Sequence, residues 1–196
     1  MNFKKFSCCV LGLTGSILCG KSAALAAFKK CGAFTLSCDE IAREVSARPA
    51  VQKKIQTVFG VTDRAQLAQK VFASPRLRKQ LEALLHPLIL QEVARQLKAC
   101  CAPVAVVETP LLFEAGLQEA FDITLCVAAP QRVLSARAKK RGLSPADFLK
   151  RSKAQWSQQQ KAAAADLCLL NDGPLSALEG KVQHLYRAII RIYQAK

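Results

Sequence analysis

Eight residues near the start of the chain, Gly15-Ser-Ile-Leu-Cys-Gly20-Lys21-Ser22, restrict its fold more than any other feature. An apolar run, Cys8 to Leu13, precedes them, and a stretch with helical patterning, Lys21 to Cys31, follows and closes at Gly32. The two glycines permit backbone conformations that turn successive N–H groups inward. The start of the following helix adds partial positive charge at the same place. A strand, this turn and a helix in succession form a cradle for phosphate oxygens.

Four more short apolar runs read as strands: Ala33 to Cys38, Val104 to Glu108, Ile123 to Ala128 and Leu167 to Leu170. They alternate with segments of helical spacing. Strands apolar on both faces, separated by helices, argue for a parallel sheet covered on two sides. From Ile41 to Cys101 no strand is expected; Leu67, Val71, Phe72 and then Leu77, Leu81, Leu84, Leu85 carry helical spacing. That length exceeds what one crossover helix needs and reads as a helical insertion. Pro130 to Gln160 is again helical, with a break at Gly142 to Pro145, and Leu175 to Lys196 forms an amphipathic helix packed back on the sheet.

Composition sets limits on function. With 196 residues the chain is one domain, or one domain with an insertion, and folds without staples. Nine cysteines include two adjacent pairs, Cys8-Cys9 and Cys100-Cys101, and no CxxC, which disfavours zinc and disulfide frameworks. Cys8, Cys9, Cys126 and Cys168 lie in apolar runs and are expected buried and reduced, in a cytoplasmic chain. Lys4-Lys5 and the apolar residues after them imitate a signal peptide, but Leu18 stands where a lipoprotein cleavage box before Cys19 needs a small residue. Cleavage there would also destroy the glycine loop. No apolar run approaches the roughly 18 residues of a membrane span, so no membrane partner is expected.

A formal charge of +15 calls for an anionic partner: a nucleic acid, an anionic membrane or a small polyphosphate. Arg132, Arg137, Lys139, Lys140, Arg141, Lys150, Arg151 and Lys153 crowd one stretch whose only acid is Asp147. Read alone, that stretch is a solvated helix face.

The spacing Gly15-x-x-x-x-Gly20-Lys21-Ser22, between a strand and a helix, is that of the P-loop. In such a loop Lys21 reaches the β- and γ-phosphates of ATP and the Ser22 hydroxyl ligates Mg²⁺. The wider segment Gly12 to Ser22, GLTGSILCGKS, resembles the opening of dephospho-CoA kinases, usually GLTGGIGSGK followed by Ser or Thr. Further matches follow in family order: Asp39 with Ile41-Ala-Arg43, Asp63-Arg64 with Leu67 and Val71-Phe72, Leu81-Glu82 and His86-Pro87. Then come Pro110-Leu-Leu-Phe-Glu114, Phe121-Asp122, Arg137 with Arg141, Arg151 with Gln155, and Ala165-Asp166 with Asn171 and Gly173.

This resemblance implies an α/β fold: a five-stranded parallel P-loop core (residues 1–40, 102–129, 161–196) with helices on both faces. To it are added a helical acceptor subdomain (41–101) and a basic lid (130–160). It also implies transfer of the ATP γ-phosphate to the ribose 3′-hydroxyl of dephospho-CoA, the last step of coenzyme A synthesis, by a monomer or weak homo-oligomer. Asp39 is the expected general base, or alternatively a helix N-cap for the segment from Glu40 onward. Lys21 and Arg141 are the other catalytic candidates. Gly15, Ser16, Ile17, Leu18, Cys19, Gly20, Lys21, Ser22, Ala23, Arg137, Arg141 and Asn171 are the expected nucleotide-binding set. Arg137 and Arg141, four apart on one helix face, turn the basic stretch into a lid over the triphosphate. Asn171 is the adenine contact by resemblance and a turn residue by its Asn-Asp-Gly context. Asp39, His86, Pro110, Leu111, Leu112 and Glu114 form the acceptor side, His86 preceding a helix-starting Pro87.

The chain departs from the family pattern at Ser37-Cys38-Asp39, usually Asp-x-Asp, and at Ser16, Leu18 and Cys19, usually Gly, Gly and Ser. Leu134 replaces a usual Gln. Cys19, in an anion-binding loop beside Lys21, is expected to have a lowered thiol pKa and to react readily with alkylating agents. Two other functions fit parts of the sequence: a P-loop kinase for another nucleoside or nucleotide, and a basic nucleic-acid-binding module with a vestigial P-loop. The acceptor-side matches disfavour the second, so no nucleic-acid partner is expected.

Overall fold

The computed structural model describes residues 2–194, without the Phe72 and Gln194 side chains; Ala195 and Lys196, at the end of the expected last helix, lie outside it. The strands are β1 (Cys9–Gly15), β2 (Phe34–Ser37), β3 (Val104–Glu108), β4 (Ile123–Ala128) and β5 (Leu167–Leu170). The helices are α1 (Lys21–Lys30), α2 (Cys38–Ala47), α3 (Pro49–Phe59), α4 (Arg64–Ala73), α5 (Pro75–Lys98), α6 (Gln131–Lys140), α7 (Pro145–Lys153), α8 (Gln158–Ala164) and α9 (Leu175–Gln194). Two compact units emerge: residues 1–37 with 99–196, and residues 38–98.

The first unit is built on a five-stranded sheet in the order β2-β3-β1-β4-β5, parallel throughout. β1 and β3 are buried along their whole length, as two-sided apolar strands must be in the middle of a parallel sheet. Leu11 and Leu13 of β1 and Leu125 and Val127 of β4 share one core with Ala24, Ala27 and Phe28 of α1 and with Leu178, Val182, Tyr186 and Ile189 of α9. The alternate residue Gly12 points to the other face. A Cβ there would come 2.7 Å from Leu112 and 2.8 Å from Phe121, so the absent side chain is what lets the Pro110–Glu114 segment lie against the strand.

Two details differ from the sequence reading. β1 runs two residues further, to Gly15, because Thr14 and Gly15 still pair with Cys126 and Val127 of β4. β5 is an edge strand with only Leu169 buried, so Cys168 is exposed rather than buried. All nine cysteines are free thiols. α1 ends as expected, with Gly32 at φ 96° and Ala33 N donating to Phe28 O at 3.1 Å, a Schellman closure.

The second unit is wholly helical. α3 buries Val51, Ile55 and Phe59 at intervals of four, and Asp63 caps α4 by accepting from Gln66 N at 2.9 Å. Pro87 does not start a helix: α5 runs through it from Pro75 to Lys98, so His86 lies mid-helix, exposed. The break falls instead at Ser74-Pro75, where the proline is tolerated in a first turn. Glu92 of α5 is buried and accepts from Arg48 Nη2 (2.7 Å), Arg95 Nη2 (2.6 Å) and Gln96 Nε2 (2.9 Å). Those partners, Arg95 foremost, hold its carboxyl at about 2 instead of the ordinary 4.5. Among the described residues no helix is long and apolar enough to cross a membrane.

Candidate active site

β1 delivers the loop directly onto α1. Gly15 has φ 149° and Gly20 φ 106°, both in the region where a side chain is disfavoured. Space forbids one as well: a Cβ on Gly15 would strike the Val127 carbonyl, and one on Gly20 would strike the Asn171 amide. Leu18 also has a positive φ, 64°. A non-glycine residue there costs about 1 to 2 kcal/mol, so something must hold it.

Side chains distant in sequence do that. Arg137 Nη1 of α6 donates to the carbonyls of Leu18 and Cys19, both at 3.0 Å, and Asn171 Nδ2 donates to Cys19 O at 2.8 Å. Gln158 Oε1 accepts from Ser16 Oγ (3.2 Å) and from Ala129 N (2.9 Å), tying the loop's first turn to the end of β4. Lys21 Nζ donates to the carbonyls of Gly15 and Ser16 at 3.0 Å each. Ser22 Oγ lies 3.4 Å from Glu108 Oε1, at the end of β3. A hydroxyl beside a buried carboxylate suits Mg²⁺, which takes one or two protein oxygens and fills its other positions with water and phosphate. No cluster of three or more His, Cys, Asp or Glu that could cage a metal occurs among the described residues.

Cys19 overturns its expectation. Its side chain is wholly buried, and burial pushes the thiol pKa up against the opposing pull of Lys21 and Arg137. The usual lowering beside a helix N-terminus needs a solvated thiolate. Cys19 is therefore an inert packing residue.

Arg137 and Arg141 are not equivalent. Arg137 is half-buried on the loop, whereas Arg141 caps the end of α6, exposed, with no side-chain hydrogen bond among the described residues. Asn171, expected at adenine, is 4% exposed with its amide committed to the loop.

On the expected acceptor side, Pro110 O accepts from Thr14 Oγ1 (3.2 Å) and from Lys161 Nζ (2.5 Å). Leu111 is half-buried and Leu112 fully buried. Glu114 Oε1 pairs with Lys161 Nζ at 3.0 Å and accepts from Trp156 N at 2.7 Å. Lys161 has no exposed surface; burial lowers its pKa and the Glu114 carboxylate opposes that. Sequence reading passed over Lys161 and Gln158. The signal for the first was a single lysine set before four alanines.

In the helical unit, Asp39 is the second residue of α2 and exposed. The helix begins at Cys38, so Asp39 sits inside the first turn and is not the N-cap; there its charge complements the helix N-terminus. Arg43 Nε donates to Asp39 O at 3.3 Å.

The chain is similar to known proteins over most of its length. A sequence model of the dephospho-CoA kinase family matches residues 9–177. A dephospho-CoA kinase of Hahella chejuensis is 37% identical over 195 residues, 94% of each chain. A crystal structure of a Thermus thermophilus protein superposes with a TM-score of 0.83 at 33% identity, covering 92% of this chain and 97% of that one. The dephospho-CoA kinase of Campylobacter jejuni gives 0.69 at 25% identity, covering 93% and 97%. With the family match running from β1 into α9 and taking in the loop, its struts and the helical unit, this chain belongs to the dephospho-CoA kinase family.

Proposed function

We infer that the protein transfers the γ-phosphoryl group of ATP to the ribose 3′-hydroxyl of dephospho-CoA, giving coenzyme A and ADP. The observation that carries this is the family match over residues 9–177 with Lys21 and Ser22 intact in the loop. The bond from the 3′-oxygen to the γ-phosphorus forms as the bond from that phosphorus to the β,γ-bridging oxygen breaks. The carboxylate assigned to take the hydroxyl proton is Asp39.

Phosphoryl transfer has a loose transition state, so catalysis rests on placing charge around three phosphoryl oxygens. Lys21 leaves the Gly15 and Ser16 carbonyls to pair with the β- and γ-phosphates. Ser22, with Glu108 behind it, would hold Mg²⁺, which would supply positive charge against the phosphoryl oxygens. Glu108 thereby substitutes for the carboxylate missing at Ser37. Arg141, exposed and unengaged, supplies the mobile guanidinium of the lid, and Arg137 acts chiefly by keeping the loop's shape. Asn171 supports the nucleotide through the same loop. His86 and the Pro110–Leu112 segment belong to the acceptor side; Glu114 contributes by fixing Lys161 and, through it, Pro110.

A coupled ADP-release assay with dephospho-CoA tests the reading. General-base help is worth ~10² to 10⁴ in rate, and a catalytic cation ~10³ to 10⁵ in related enzymes. Lys21→Ala should therefore lower kcat/KM at least as far as Asp39→Asn. No ADP above background from the parent protein would sink the assignment. A nucleoside or nucleoside monophosphate outcompeting dephospho-CoA would redirect it to another acceptor.

A further inference from the structure

The nucleotide loop is braced in two halves. Arg137 and Asn171 hold the Leu18 and Cys19 carbonyls of the second half, and Gln158 of α8 holds the first. The Gln158 amide is locked by the backbone of the buried Ala129: Nε2 donates to Ala129 O at 3.0 Å, and Oε1 accepts from Ala129 N at 2.9 Å. Turning the amide over would set donor against donor and acceptor against acceptor, so its orientation is fixed. Oε1 retains a second lone pair, and Ser16 Oγ donates to it at 3.2 Å. α8 gives the glutamine a rigid mount. A capping box between Ser157 and Gln160 closes its first turn, and Lys161, one turn on, is buried with Nζ on Pro110 O.

Lys21 Nζ donates to the Gly15 and Ser16 carbonyls, and it leaves both when it pairs with phosphate. The Ser16 carbonyl then loses a partner while its hydroxyl keeps one. We propose that Gln158 is a positioning residue for the nucleotide, holding the first turn of the loop through the Ser16 hydroxyl in the shape that accepts phosphate before ATP arrives. The proposal rests on the reading that this loop binds ATP. A loop that is competent for only part of the time binds with an affinity reduced by that fraction, and saturating ligand restores it. Loss of the strut should therefore appear in nucleotide affinity and not in the rate at saturation.

The probe is the β,γ-imido analogue of ATP with Mg²⁺, titrated calorimetrically without acceptor into the parent, Ser16→Ala, Gln158→Leu and the double variant. Ser16→Ala removes only the hydroxyl and leaves Gln158 on Ala129, so it reads the strut without disturbing the fold; thermal melts followed by circular dichroism check every variant. Ser16→Ala should weaken the analogue about three- to tenfold, the scale of one neutral hydrogen bond, and Gln158→Leu at least as much. Adding Ser16→Ala to Gln158→Leu should weaken it no further, because the two groups act as one pair. Ser16→Thr, which retains a hydroxyl, should recover the parent affinity. In turnover Gln158→Leu should raise KM for ATP by the factor seen in binding, while kcat and KM for dephospho-CoA hold, since Lys161 still fixes Pro110. A lowered melting temperature with unchanged analogue affinity, losses that multiply in the double variant, or a fall in kcat with KM for ATP unmoved would overturn the positioning role. A parent that turns over dephospho-CoA while Ser16→Ala binds the analogue as tightly as the parent refutes the strut alone; a parent and variants that bind the analogue as expected, yet release no ADP with dephospho-CoA, refute the assigned reaction alone.

Discussion

At the scale of single residues, the loop owes its shape to groups outside it. Leu18 occupies left-handed backbone, a conformation that favours glycine, and Arg137 holds its carbonyl. If that bond maintains the strained turn, the two residues are energetically coupled. Urea denaturation without nucleotide should show Arg137→Met costing about 1 kcal/mol more in the parent than in a Leu18→Gly background, since glycine needs no restraint there. Costs that add to within about 0.3 kcal/mol would mean the strut and the strain are independent. The loop itself was legible in the sequence because phosphate cradles demand glycine at fixed spacing. Its struts were not: Asn171 lies 152 positions from the carbonyl it holds and Gln158 142 positions from Ser16, and no local pattern encodes such separations. Cys19 was misread for the opposite reason, since sequence neighbours announce charge but not burial.

At the scale of elements, the strands were legible to within one or two residues because central parallel strands are continuous apolar runs. The helical unit was less so. Pro87 looked like a helix start, yet α5 passes through it, which a proline permits when packing on both sides outweighs one lost hydrogen bond. Glu92 on the same helix went unnoticed among many charged residues. It ties Arg48, at the turn between α2 and α3, to Arg95 and Gln96 on α5. Its carboxyl titrates at about 2 in the folded protein against an ordinary 4.5. The unfolded chain therefore binds the proton first, and the stability Glu92 contributes is complete above about pH 4.5 and is lost as pH falls towards 2. Glu92→Gln should lower stability by roughly 1 to 3 kcal/mol at pH 7, and its urea midpoint should fall less steeply than the parent's across that acid window. Parallel curves for the two proteins would show that Glu92 is not the group responsible.

At the scale of the whole molecule, the net charge of +15 posed a choice among anionic partners that charge alone does not make. The reaction proposed above would resolve it towards two polyanionic small molecules, ATP and dephospho-CoA. The basic stretch retains a role in that outcome. Arg132, Lys139, Lys140, Arg141, Lys150, Arg151 and Lys153 all remain exposed, and Arg137 alone among the stretch's eight basic residues is drawn inward to the loop. Exposed like charges that are not used in local pairs raise the potential over the surface and draw in anions before any contact forms. That attraction is screened beyond a Debye length, about 10 Å at 0.1 M salt and about 3 Å at 1 M. Raising sodium chloride from about 0.05 to about 0.5 M should consequently lower kcat/KM for dephospho-CoA several-fold through slower encounter. The value of kcat, measured at saturation, should change far less, because contacts made inside the bound complex are poorly screened. Substituting Lys139, Lys140 and Lys150 together by glutamine should flatten the salt dependence without altering kcat. A kcat/KM indifferent to salt in the parent would show that the exposed charge plays no part in capturing substrate.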